Sequence, residues 1–369
     1  MSRVEPRSAA TDIAVEIGPF PSARKIELLW RDLESRAAPS FFLSWAWIGT
    51  WLDVTQLEPA VIMARSGGSL VGLALVNGSR RRRLGLSWPA LSLNEAGSAE
   101  QDCIMIEDNG FLAERGIEAT VTVACLDHLA ASAPDWRELR LSGVPAAVLE
   151  DAERLGLPLR IEAKRPSHFI DVEASSGDGS LASLSANARQ QINRSLRLYR
   201  ERGEVMLRRS ATIDEALTRF AELELLHQQR WAGKGKPGAF DRPFFRRFHQ
   251  ALLAHGFAAG AVDVLRVTAG PRTIGLLHTF FHGGDAYAYQ NGFVFESDGR
   301  LKPGLVSHLL AVDHCRRAGL RRYCLLAGDS RYKRTLATGS YDLYWLSIRR
   351  PDLAFRLEQL ARRIVGREP

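Results

Sequence analysis

Cysteine is scarce: four residues, Cys103, Cys125, Cys315 and Cys324, with no CxxC pair among them. A disulfide scaffold and a zinc-ribbon arrangement are both excluded, and buried reduced thiols are expected. Long apolar runs are missing too. The best candidate, residues 117–133, is interrupted by Glu118, Asp127 and His128, short of the ~18–20 apolar residues that a membrane span needs. The N-terminus has charge but no apolar segment after it, so no secretory signal is read and the chain is expected in the cytosol. Zinc-protease, Walker-type and Gly-x-Ser-x-Gly motifs are absent. The 31 glycines exclude a collagen-like chain. What is present is ordinary for a packed globular protein: 369 residues, 46% hydrophobic and 25% charged, enough for about two domains. Lysine plus arginine exceed aspartate plus glutamate by 49 to 42, a net charge of +7. That balance suits an acidic partner: a phosphorylated cofactor, nucleic acid or an anionic lipid surface. A basic surface kept for solubility is the plain alternative.

The pattern of elements repeats once. In the first half, residues 26–37 and 42–52 read as helices. Residues 60–64, 70–77 and 83–87 read as strands, with turns at Ser66-Gly67-Gly68 and Asn77-Gly78. Helix 114–131, strand 138–141, helix 145–155 and strand 159–163 follow. The second half opens with strand 168–172 and a Ser/Gly/Asp-rich loop, then helix 185–202 closed by Gly203. Strand 205–209, a helix 213–231 capped by Thr212, a basic loop 233–238 and helix 241–255 come next. Three strands (261–268, 273–282, 285–291), helix 303–317, strand 323–326, a helical turn 330–336 and strand 341–348 complete it. Each half thus reads helix, helix, three antiparallel strands, helix, strand, helix, strand. This predicts an α/β (α+β) fold of two domains, residues 1–163 and 164–348. Residues 349–369 form an amphipathic tail with Leu353, Leu357, Leu360 and Ile364 on one face.

Chemistry concentrates in the second half. Arg300-Leu301-Lys302-Pro303-Gly304-Leu305 precedes a helix whose first N–H groups lack intrahelical partners. Such a start attracts phosphate, and Arg300 and Lys302 add formal charge. An ordinary proline-started helix is the plain alternative. Gly328-Asp329-Ser330-Arg331-Tyr332-Lys333 follows an apolar strand, at the strand end where α/β sites gather. Asp329, Tyr332 and Lys333 supply an acceptor, a phenol and a cation there, and Asp329 is equally suited to capping the next turn. His278 and His282 share one face of a strand, Tyr287 and Tyr289 one face of its neighbour. Metal binding by the two imidazoles needs a third ligand that the pattern does not supply. Asn187, Arg189, Arg194 and Arg197 lie along one helix, which a solvated basic face also explains. His227, Arg230 and Trp231 end another, just before Gly233-Lys234-Gly235-Lys236, a possible lid or a favourably charged helix end. The run Arg80–Arg83 reads as an exposed hairpin turn.

The order of these features, Asn187-x-Arg189, His227-x-x-Arg230-Trp231, Pro303-Gly304, Ala318-Gly319 and Gly328-Asp329-x-x-Tyr332-Lys333, resembles the GNAT acyltransferase superfamily. The similarity lies in its cellulose and exopolysaccharide-biosynthesis (CelD-like) branch, related to the Fem-type peptidyltransferases that hold two tandem GNAT folds. It covers residues 165–348 by motif order and residues 12–163 by general pattern, Phe41-Phe42-Leu43-Ser44-Trp45 and Trp47 included. The resemblance implies two tandem GNAT-like domains, each a mixed, mostly antiparallel sheet flanked by helices, with one active centre. The first would be degenerate and bind substrate. The cofactor loop of the superfamily is matched by Arg300 and Pro303-Gly304-Leu305, without its final small residue. Acetyl-CoA or another acyl-CoA would donate to an amine, on an amino sugar or glycan precursor, with no metal and with possible association with the inner-membrane surface. His278 or its rival Asp329 would be the base and Tyr332 the acid for the thiolate. Lys333 would stabilise its charge, and backbone N–H groups at Tyr289, Gln290 and Asn291 would hold the oxyanion. Arg189, His227, Arg230 and Trp231 would face the acceptor. Two other readings are a Fem-type transferase using aminoacyl-tRNA and a non-catalytic, nucleotide-responsive polysaccharide-export protein. For the latter, Arg349 and Asp352 supply an Arg-x-x-Asp pattern.

Overall fold

The computed structural model describes residues 12–83, 86–132, 136–172, 184–233, 235 and 237–350. The tail from Pro351, with Asp352, and Lys234 and Lys236 of the basic loop lie outside the described residues. The first half runs β1 (Ile13–Gly18), α1 (Ala23–Arg36), α2 (Trp45–Thr55), β2 (Ala60–Ser66), β3 (Ser69–Arg83), β4 (Leu86–Leu93), β5 (Leu112–Ala113), α3 (Glu118–Ser132), β6 (Glu138–Pro145), α4 (Ala146–Arg154) and β7 (Leu159–Asp171). The second half runs α5 (Ala186–Arg200), β8 (Val205–Arg208), α6 (Ile213–Ala232), α7 (Pro243–Gly256), β9 (Val262–Ala269), β10 (Arg272–His282), β11 (Asp285–Phe293), α8 (Pro303–Arg317), β12 (Arg322–Ala327), α9 (Arg331–Leu336) and β13 (Gly339–Arg349).

The strands form one mixed sheet in the order β1-β2-β3-β4-β6-β13-β7-β12-β11-β10-β9-β8, with β5 beside β3. Its pairs are antiparallel except β4 with β6 and β11 with β12. The two halves are related by a pseudo-two-fold between β7 and β13, and each gives its last strand to the other. Strand β13 pairs with β6 of the first half, while β7 pairs with β12 of the second. The expected division at residues 163 and 164 therefore falls inside β7, which runs unbroken through both halves and pairs with β13 from Leu159 to Phe169.

One apolar core also serves both halves. Phe41 stacks on Phe280 with ring centres 4.4 Å apart, and Trp47 packs edge-on against Phe248 at 4.8 Å. Each of these buried side chains contributes roughly 1.5–3 kcal/mol, so part of the stability lies in contacts between the halves. Local signals set most element ends. The Thr212 hydroxyl accepts from the Glu215 N–H while the Glu215 carboxylate accepts from Ala211 N–H, a reciprocal cap for α6.

Two turn expectations are corrected. Asn77-Gly78 lies within β3, and Arg80–Arg83 are strand residues opposite Pro89, Trp88, Ser87 and Leu86 of β4. Two of these arginines have partners on neighbouring strands: Arg80 donates to Ser87 Oγ, and Arg81 lies 3.8 Å from Glu138 and 3.9 Å from Glu162. Strand β1 was not anticipated; its short alternation gains meaning only from antiparallel pairing with β2. Among the described residues, no helix is long and apolar enough to cross a membrane.

Candidate active site

The parallel pair β11 and β12 is bonded only from Asp285 to Tyr287 against Arg322 to Cys324; beyond these the strands part. A bulge helps to turn β11. His278 of β10 faces Gln290 and Thr279 faces Ala288, so Tyr289 is the extra residue. Its ring is turned into the core against His249, 4.8 Å away, and its hydroxyl donates to the Ile104 carbonyl oxygen of the first half. After the bulge, Gln290, Asn291, Gly292 and Phe293 line a cleft of about 1190 Å³. The start of α8 adds Lys302 and Leu305, α9 adds Arg331, Tyr332 and Thr335, and the end of α6 adds Leu226, His227, Arg230 and Trp231. Asn187 and Gln191 of α5 close another side, and the first half contributes Ala99, Cys103 and Met105.

In the corresponding place of the first half the structure is filled. Strands β4 and β6 also pair over only three positions, Ala90 to Ser92 with Glu138 to Arg140, before diverging. There the loop of residues 94–111 occupies the gap. Asn94 accepts from Leu75 N–H at 2.9 Å and donates to Asn109 Oδ1 and Gly110 O, both at 2.8 Å. Gly143, at φ 64, lets the loop close on β6: a Cβ there would lie 2.4 Å from Ile106 O. The same loop then reaches across to the second half. Met105, Cys103 and Ala99 line its cleft, Glu107 Oε2 accepts from Ala327 N–H at 2.8 Å, and Asp108 Oδ2 accepts from Tyr341 OH at 2.7 Å.

Cations dominate the cleft wall: Arg230, Arg242, Lys302 and Arg331 against Asp241. Arg230 lies over the Phe295 ring at 4.0 Å, and Arg242 donates to Ala99 O at 3.1 Å. At the start of α8, Lys302 N–H donates to Ser195 Oγ at 2.8 Å and Pro303 has no N–H. The first helical bond runs from Val306 N–H to Lys302 O, so the N–H groups of Gly304 and Leu305 have no acceptor within the helix. Gly304 packs closely on Phe293: a Cβ would stand 3.1 Å from that ring. Arg300 is elsewhere, exposed and chelated by Asp298 at 2.8 to 3.1 Å.

Tyr332 is the phenol that the cleft holds. Burial pushes its hydroxyl up to about 12, so it is protonated at neutral pH. Its ring lies parallel to His308, and His308 Nδ1 is 2.9 Å from Tyr323 OH. Lys333 follows Tyr332 in sequence, but its Nζ points away, donating to Leu326 O at 3.0 Å and Ala327 O at 2.6 Å. Leu326, at φ 65, has its backbone in the left-handed region there.

The structure separates several residues that the sequence grouped. His278 does not reach the cleft. It is fully buried, 3.3 Å from His249, and desolvation lowers its pKa to about 3, which leaves it a neutral core imidazole. Asp329 is exposed and ion-paired with Arg334 at 2.5 Å, outside the cleft lining. Arg189 donates to Leu184 O at the start of its own helix, and Arg194 and Arg197 are exposed. His227, Arg230, Trp231, Gln290, Asn291, Lys302, Leu305 and Tyr332 are brought together. Arg349 lies over the Trp88 ring at 5.3 Å. Sequence reasoning missed Cys103, Met105, Glu107, Arg242 and Arg331. The run of turn formers Asn94, Asp108 and Asn109 was the signal for the loop, and Asn94 and Asp108 do adopt positive φ. Among the described residues, no three His, Cys, Asp or Glu side chains are grouped to hold a metal ion.

Residues 186–334 match the model of the acetyltransferase (GNAT) domain. The fold of the whole chain is similar to that of FemX, at 12% identity over 94% of this chain and 99% of that one, with a TM-score of 0.59. It is also similar to the C-terminal domain of a putative lysylphosphatidylglycerol synthetase from Agrobacterium fabrum, at 11% identity over 92% and 96%, TM-score 0.55. L-PGS from Bacillus licheniformis aligns at 10% identity over 96% and 100%, TM-score 0.54. No curated protein matches the chain. The mixed α/β, tandem GNAT-like architecture expected from the sequence is the one observed.

Proposed function

We propose that this chain is an N-acyltransferase that moves an acyl group from acyl-CoA to an amine. The observation that carries the reading is the cleft at the parting of β11 and β12, beside the start of α8 and walled by Arg230, Arg242, Lys302 and Arg331. A diphosphate is accommodated by Lys302, Arg331 and the N–H groups of Gly304 and Leu305. The thioester then extends along Gln290 to Phe293, where the Asn291 N–H, donating to Gln290 Oε1 at 3.2 Å in the free protein, is the main-chain donor that the oxyanion would take over. The amine attacks the carbonyl carbon, the C–S bond breaks, and the departing thiolate takes the proton of Tyr332. Among the described cleft residues Asp241 is the carboxylate, and its Oδ2 already accepts from Gly238 N–H at 2.7 Å. The cleft also holds the imidazole of His227, so the amine loses its proton to His227 or to water, in place of the role expected for His278 or Asp329. An amino sugar or a glycan precursor, as in exopolysaccharide synthesis, is the acceptor class we assign.

A second reading takes the donor as the aminoacyl ester of tRNA. The start of α8 favours it, because Lys302 N–H is engaged by Ser195 and Pro303 has none, which leaves fewer amides for a diphosphate. Incubation with a panel of acyl-CoA thioesters and amino sugars, read by mass spectrometry, tests the first reading. Acylated product without RNA supports it. No product with any thioester, and product with aminoacyl-tRNA, replaces it by the second.

A further inference from the structure

We propose that Glu107, carried by the first half, is a positioning residue for the reaction of the second: it grips the end of β12 opposite Lys333 and so fixes Tyr332 in the cleft. The inference rests on the transferase reading of that cleft.

The geometry converges on one residue. Glu107 Oε2 accepts the N–H of Ala327 at 2.8 Å, and Lys333 Nζ donates to the carbonyl of the same residue at 2.6 Å. A second bond from Nζ, to Leu326 O at 3.0 Å, holds the carbonyl that the left-handed Leu326 backbone turns toward it. Lys333 lies in α9, directly after Tyr332, so these bonds tie α9, which carries Tyr332 into the cleft, to the end of β12. Glu107 closes the clamp from the side of the first half. It is 5% exposed, and its neighbours in the same loop also meet the second half, Ile104 O accepting from Tyr289 OH and Asp108 Oδ2 from Tyr341 OH.

The charges reinforce the clamp. Burial lowers Lys333 to about 8, and the Glu107 carboxylate opposes that drop. Burial raises Glu107 to about 7, aided by Asp108 and opposed by the Ala327 N–H, Lys333 and Arg165. The imidazoles of His168 on β7 and His308 on α8 also stand near Lys333, lowered first by burial and then by its charge. As pH rises through about 7, Glu107 becomes the anion that favours the protonated ammonium, and an uncharged amine would hold the two carbonyls less firmly.

Glu107→Gln keeps the size and an acceptor for Ala327 N–H while removing the charge. Steady-state kinetics of the full chain should show donor KM within about twofold of wild type, kcat reduced about tenfold, and the alkaline limb of the pH–rate profile moved to lower pH by about one unit. Lys333→Met should abolish that limb, and the double variant should be no slower than Lys333→Met alone. A second readout needs no turnover. The chain has six lysines, so the side-chain carbon of Lys333, labelled with 13C and assigned by its loss in Lys333→Met, can be titrated by NMR. It should titrate lower in Glu107→Gln than in wild type. An unmoved titration overturns the proposal. So does a shifted titration with unchanged kcat, or a kcat loss that follows a fall in Tm with the pH limb in place. Absence of turnover by wild type with every acyl-CoA would instead overturn the function, and the titration would still decide the clamp.

Discussion

The phenol ring of Tyr332 lies 5.2 Å from the imidazole of His308, their planes within 7° of parallel. His308 is fully buried, and desolvation, with the charge of Lys333, lowers its pKa to about 3. A neutral imidazole is therefore the platform on which the Tyr332 hydroxyl is held. Replacing Tyr332 by Phe preserves the stacked face and removes only the acid. We expect Tm to change by no more than a few degrees and kcat to fall by about 10²-fold, with donor KM nearly constant. Turnover near wild type, measured at several pH values, removes Tyr332 from the proton transfer.

The cations near α8 divide into two kinds, and the division can be measured. Lys302 and Arg331 line the cleft, whereas Arg300 is exposed and chelated by Asp298. Lys302→Ala and Arg331→Ala should each raise donor KM by about three- to tenfold, more at low salt than at high, because a partly exposed charge is screened. Arg300→Ala should stay within about twofold of wild type. Equal losses in all three would mean that the phosphates lie outside the cleft.

How much of this was legible in the sequence follows from the range of the interactions. Helix α8 begins at Pro303 and ends at Arg317, the limits read from the pattern, because a proline start is a local signal. The Thr212 cap is local too. Arg80–Arg83 misled because four like charges suggest a solvated turn, while the carboxylates of Glu138 and Glu162 that receive Arg81 lie more than fifty residues away. His278 misled for the same reason: its neighbours along the strand do not show that His249 and Phe220, on other elements, enclose it. The cleft residues of α6, β11, α8 and α9 were found as types in order. The loop that roofs them was not, since Ile104 meets Tyr289 across 185 residues and Glu107 meets Ala327 across 220.

Buried carboxyl groups give the fold a pH signature. Glu95 is raised to about 7, first by burial and then by Asp102. An unfolded glutamate ionises near 4.5, so between that pH and about 7 the native state holds the extra proton. Its contribution to stability is present below pH 4.5 and is lost as pH rises through about 7. Glu95→Gln removes the cost of ionisation. Its Tm relative to wild type should rise by several degrees between about pH 5 and pH 8. A difference that stays constant over that range, read by calorimetry, would show that Glu95 ionises freely in the native protein.

The filled gap of the first half is held by Asn94, and its removal tests whether the two halves work as one. Asn94 is buried at φ 52, with its amide on Leu75 N–H, Asn109 Oδ1 and Gly110 O. Asn109 in turn donates to Leu93 O at 2.9 Å, so one side chain anchors a small network. Asn94→Ala leaves the Leu75 donor and the Gly110 acceptor without this partner in a site that water does not reach, and it places alanine in a backbone conformation that it disfavours. Each orphaned group costs about 1–3 kcal/mol, and the conformation adds on the order of 1 kcal/mol. Denaturant unfolding should show a loss of several kcal/mol. The consequence for function is the more discriminating one. Met105 and Cys103 roof the cleft of the second half, and Glu107 holds its strand end. Under conditions where the variant remains folded, hydrogen exchange should therefore quicken in residues 94–111 and around Ala327 together, and kcat should fall by about tenfold or more. Faster exchange in the loop with exchange at Ala327 and kcat both unchanged would separate the halves.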